Sequence, residues 1–192
     1  MPFLSEADRR SLLVLARRAI VGVVSLQKPI ESIPRTGVFA EKRGVFVTLT
    51  FRGRLRGCIG LVEAFEPLGE SVARCAASAC LHDPRFSPVR AEELHDLQIE
   101  LSLLSPPEPI LPQDIEIGKH GLLISQGSRR GLLLPQVAGE HKFSCEQFLD
   151  ETCRNAGLNV KAWQEPETQI SGFFCEVFSE EGASGEPLPG NS

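Results

Sequence analysis

"GVFVTLTFRGRLRGCIGLV", residues 44–62, decides how the chain is read. Val45, Val47, Leu49 and Phe51 alternate with Phe46, Thr48, Thr50 and Arg52, the two-residue period of a half-buried strand. A turn near Arg52-Gly53 sends the chain back, so the stretch predicts a β-hairpin. The returning strand is interrupted by arginines, glycines and a cysteine. Alternation places Leu55, Gly57, Ile59 and Leu61 on the apolar face, with Arg54, Arg56, Cys58 and Gly60 opposite. A two-residue turn would pair Phe51 with Arg54 and mix the faces. A longer turn or a bulge restores agreement and brings Thr48 or Thr50 to Cys58.

Upstream, residues 5–26 predict an amphipathic helix opened by Ser5 and Asp8, and "QKPIESIPRTG" (27–37) ends it. Downstream, a helix starts at Pro67 and runs to about His82, where Pro84 stops it. "AEELHDL" (91–97) adds a short helix, and "LQIELSLL" (97–104) alternates as another half-buried strand. "GLLISQGSRRGLLLP" (121–135) is a second hairpin, turning around Gly127. Arg56-Gly57-Cys58-Ile59 aligns with Arg130-Gly131-Leu132-Leu133, and each hairpin precedes a helix, which points to a duplicated unit. The later helix has a capping box at Ser144 and Gln147 and a stop at Gly157. "QISGFFCEVF" (169–178) is a last strand. Residues 5–178 therefore form one unit of two packed lobes, and 179–192 a flexible tail with little apolar content.

The chain has 192 residues and a net charge of −5, which disfavours a protein that coats nucleic acid but permits a local basic patch. The opening "MPFLSEADRR" lacks the basic start and apolar run of a signal peptide, and no stretch is long and apolar enough for a membrane helix. A cytoplasmic protein follows, with its six cysteines as thiols. No CxxC pair occurs, and "GLVEAFEPLGE" lacks the glycine spacing and lysine of a phosphate loop, so no metal or cofactor is expected.

The interrupted strand itself builds a cation, a thiol and a vacancy in sequence. Arg56 can lean over Cys58 and favour its thiolate, and Gly60 leaves room for a ligand. Arg54 and Arg56 suit an anionic group. The alternative is that Cys58 fills a small gap and the arginines are solvated edge charges. His82 is either a general base for Cys58 or a helix-end histidine favoured by the dipole.

At Leu55-Arg-Gly-Cys-Ile-Gly60 the chain resembles the AMMECR family, whose prokaryotic members are called AmmeMemoRadiSam system protein A. "HDPRFSPV" (82–89), "IELSLLSPP" (99–107), "RGLLLPQVA" (130–138) and "FLDETCRNAGL" (148–158) resemble further blocks in the family's order, with Ser87 where a proline is usual. The resemblance implies an α+β fold: a curved, largely antiparallel sheet with packed helices, in two related hairpin–helix halves. It also implies association with a Memo-like protein and a radical SAM protein. One functional reading is a cysteine-dependent enzyme or enzyme subunit, with Cys58 and His82 as the reacting groups. Arg54, Arg56, Gly57, Gly60 and Thr48 would then bind the ligand. The other is a non-catalytic module that binds an anionic small molecule or nucleic acid, or a scaffold for partner proteins.

Overall fold

A computed structural model describes residues 4–180. Its helices are α1 (Glu6–Ser25), α2 (Leu68–Leu81), α3 (Pro135–Glu140) and α4 (Cys145–Asn155). Its strands are β1 (Val45–Phe51), β2 (Arg54–Leu61), β3 (Leu97–Leu104), β4 (Glu108–Pro109), β5 (His120–Gln126), β6 (Arg129–Leu133) and β7 (Gln169–Ser179). The fold is α+β, and the ladders of both units pair their strands antiparallel. The described residues divide into two compact units, 4–103 with 176–180 and 104–175.

In the first unit, β1 lies between β2 and β3. Val45, Val47, Leu49, Ile99 and Leu101 point to a shared core, where α2 lays Leu68, Val72, Cys75, Ala76 and Ala79 on the sheet and α1 packs on α2. The Ser5 hydroxyl caps α1 by accepting the amide of Asp8. Pro67 stands just outside α2 rather than at its first position, and His82 is the C-cap. The expected helix at 91–97 contracts to a single 3-10 turn, Ala91–Glu93.

In the second unit, β5 lies between β6 and β7, and β4 adds to β7. A separate core gathers Leu122, Ile124, Phe148, Leu149 and Cys153. Ser144 and Gln147 form the capping box of α4, and Gly157 takes φ 68° just beyond it. The short helix α3 is an addition: Pro135 pre-sets its first turn.

The duplication is visible in atomic detail. Gly57 sits beneath α2, where a methyl group would collide with the carbonyl oxygen of Ala79; Gly131 sits beneath α4, where one would collide with the backbone of Ala156. The next residue uses its edge amide alike in both. The Cys58 N–H donates to Asp83 Oδ2 (2.8 Å), and the Leu132 N–H to Asn155 Oδ1 (2.9 Å).

The last strand runs to Ser179, and the Glu180 amide donates to the Ile99 carbonyl while its carboxylate pairs with Arg17. The tail expected from residue 179 therefore loses Ser179 and Glu180, and the rest of it lies outside the described residues. No helix among the described residues is long and apolar enough to cross a membrane.

Candidate active site around Cys58

The hairpin closes with a two-residue turn in which Arg52 takes φ 50° and Gly53 φ 74°. Both central residues have the positive φ of the turn type whose twist matches a hairpin. The conflict of faces is resolved two residues later. Thr50 pairs with Leu55 but Leu49 pairs with Gly57, so Arg56 has no partner on β1 and forms a bulge. Beyond it, Thr48 pairs with Cys58, and the Thr48 hydroxyl lies 3.3 Å from the sulfur.

The bulge corrects the expected alignment of arginines with the thiol. Arg54 pairs with Phe51 and so leaves the face that carries Cys58, while Leu55 moves onto that face and is 44% exposed. Arg56 does not lean over the sulfur. Its guanidinium grips both carboxylate oxygens of Glu93 (2.8 and 3.0 Å) and donates to the carbonyls of Ser87 and Pro88. Both side chains of this pair are 13% exposed, so the charge of Arg56 is spent internally.

The two glycines also have structural duties. Gly57 admits the α2 backbone, as above. Gly60 lies opposite Phe46, whose ring fills the space a side chain would take. The vacancy expected beside Cys58 is therefore occupied by an aromatic ring. His82 is exposed at the end of α2, and among the described residues no histidine hydrogen-bonds to Cys58. Of the expected site residues, the structure joins Thr48 to Cys58, turns Arg54 to the other face, engages Arg56 with Glu93, gives Gly57 and Gly60 packing roles, and leaves His82 exposed with no hydrogen bond to the sulfur among the described residues.

The residues that do surround Cys58 come from the segment after α2. Asp83 is 4% exposed and accepts the Cys58 amide. Arg85 donates to both oxygens of Asp83 (3.0 and 2.7 Å) and to the Cys58 carbonyl (3.3 Å). Hydrogen bonding to Arg85 holds the Asp83 carboxyl far below the usual carboxylate range. Asp83 in turn raises the pKa of Arg85, and Cys58 adds to the same effect. The arginine beside the sulfur is thus Arg85, and its side chain is 54% exposed.

Residues 83–93 therefore clasp the open edge of β2. Asp83 and Arg85 bind the backbone of Cys58, and Arg56 binds the loop in return. An edge strand with free amides is a template for unwanted pairing, and this clasp occupies the amide and the carbonyl of Cys58. Asp83 and Arg85 sit in plain view within "HDPRFSPV", but an aspartate next to a proline reads locally as a turn. Nothing in the sequence says whose amide it accepts.

The family model AMMECR1 matches residues 13–178. A protein of Methanothermobacter thermautotrophicus is 43% identical over 190 residues, covering 93% of this chain and 97% of the relative. One of Methanosarcina barkeri is 42% identical over 198 residues, covering 98% of each. The crystal structure of an uncharacterised protein from Pyrococcus horikoshii shares 39% identity and superposes with a TM-score of 0.82, covering 93% of this chain and 94% of that one. The matched span carries both hairpin–helix units and the clasp on Cys58, and the chain belongs to the AMMECR1 family.

Proposed function

We propose that this chain is a cysteine-dependent enzyme or enzyme subunit of the cytoplasm, with Cys58 as its reacting group, acting beside a Memo-like and a radical SAM protein. The observation that carries the reading is the seat of the thiol. Cys58 is half-buried, held by Thr48 on one side, and lies next to a guanidinium that a buried carboxylate fixes in place. A pinned backbone and a fixed cation are how a protein aims a nucleophile. The anion-holding role first assigned to Arg54 and Arg56 passes to Arg85, which keeps half its side chain open to solvent. The partners rest on the family resemblance alone.

Alkylation of the folded protein with iodoacetamide at neutral pH, followed by peptide mapping, tests the reading. Cys58 is expected to react first. Burial pushes Cys75 and Cys80 up to about 11, and raises Cys145 and Cys153 as well. Arg85→Gln is expected to slow labelling by anionic iodoacetate more than by neutral iodoacetamide. Cys58 inert while other thiols react overturns the enzyme reading in favour of ligand binding.

A further inference from the structure

Glu100 has no role in the reading above, yet it faces the same row. β1 is the middle strand of its unit, and Thr48 lies opposite Cys58 on β2 and opposite Glu100 on β3. The three residues form one cross-strand line on the face turned away from Val47, Leu49, Ile99 and Leu101. Neighbouring strands are about 4.8 Å apart, so Cys58 and Glu100 flank Thr48 with roughly 10 Å between their backbones. Side chains leaning inward across that span can both touch one small functional group. Directly opposed residues have Cβ atoms about 5 Å apart, a gap the stem of Glu100 closes by rotation.

The state of Glu100 is unusual for this protein. It is half-buried, yet among the described residues its carboxylate makes no hydrogen bond and no ion pair. The carboxylates of Asp83, Glu93 and Asp150 are each tied to a cation. Burial alone raises the Glu100 carboxyl above its ordinary value. A half-buried carboxylate with no protein partner holds a proton more readily than one in water, and such groups recur at functional sites.

We propose that Glu100 is the acid–base partner of Cys58 in taking an acyl group from an ester or thioester; this rests on the reading of Cys58 as the reacting group. The thiol proton passes through the Thr48 hydroxyl to the Glu100 carboxylate as sulfur bonds to the acyl carbon. The bond from that carbon to the leaving oxygen or sulfur breaks, and the leaving atom takes the proton back from Glu100. Cys58 is left as a thioester and the alcohol or thiol departs neutral.

Two esters separate the proton step from the thiol. Phenyl acetate needs a proton for its leaving oxygen, whereas p-nitrophenyl acetate releases a stable anion. Acetylation of Cys58 is followed by intact mass and peptide mapping in wild type and Glu100→Gln, with thermal melting confirming the fold. The variant is expected to slow with both esters, since the thiol loses its base, by about tenfold with p-nitrophenyl acetate and on the order of a hundredfold or more with phenyl acetate, whose leaving oxygen also loses its proton donor. Unchanged rates with both esters overturn the inference, as does an equal fall with both. Wild type alone gives a second measurement: its rate ratio between the two esters is expected to be smaller than that of N-acetylcysteine, and an equal ratio overturns the inference. Failure of both iodoacetamide and the esters to modify Cys58 sinks the underlying reading of the thiol, and the inference falls with it.

Discussion

Gly60 shows how one residue's meaning depends on its neighbour across the strand. Read alone, a glycine beside Cys58 opens space for a ligand, and Gly60→Val should be tolerated because valine suits strands. In the structure a Cβ at Gly60 would enter the ring of Phe46 and come within 2.7 Å of the Val45 carbonyl oxygen. Gly60→Val is now expected to destabilise by ~1–3 kcal/mol, the usual cost of overpacking, as a lower urea midpoint at unchanged slope. Asp83 makes a second prediction at this scale. Its carboxyl titrates lower when folded than when unfolded, so its contribution is complete above the unfolded value of about 3.9 and fades as pH falls toward the folded one. The stability gap between wild type and Asp83→Asn should therefore be constant from pH 8 to about 5 and shrink below about pH 4. Urea titrations at each pH measure it. A gap that widens in acid would show that Asp83 is not the ionised partner of Arg85.

At the scale of elements, β2 and residues 83–93 behave as one device. The bulge at Arg56 exists because a two-residue turn puts Leu55 opposite Thr50, while the α2 packing needs Gly57 opposite Leu49. The surplus residue projects its guanidinium off the ladder, where Glu93 and two carbonyls receive it. Removing one partner of a pair this buried typically costs ~3 kcal/mol, because the other charge stays behind. Glu93→Gln is expected to lose about that much and to speed amide hydrogen exchange at Cys58 before the rest of β1 and β2. Exchange that rises uniformly through the sheet would mean the clasp has no local role. Both hairpins and all four cap residues of α1 and α4 were legible in advance, because turn chemistry and capping are contacts within a few residues. The clasp was not, since the bonds between β2 and the loop join positions 25 to 37 apart in sequence.

At the scale of the whole molecule, the two units carry separate cores, and the Cys58 site belongs to the first. Phe148 is fully buried in the second core. Phe148→Ala is expected to cost ~3–5 kcal/mol, and well below its melting temperature to leave the alkylation rate of Cys58 unchanged. A changed rate would show that the second core tunes the thiol. By itself the sequence determined α1, α2, α4, both hairpins, β3 and β7, the repeated hairpin–helix unit, the face that carries Cys58 and, given a longer turn or a bulge, its pairing with Thr48 or Thr50. Each follows from a periodicity or a turn that acts over short distances along the chain. Tertiary structure decided which charges stand beside the sulfur. Arg56 was the nearer arginine in sequence, but its charge is consumed by Glu93, and Arg85 arrives instead from across the unit. Glu100 reads in sequence as one of several polar residues on an alternating strand; only the register of β3 on β1 sets it in line with Thr48 and Cys58. Strand register and charge pairing are settled by packing between distant segments, and no local pattern encodes them.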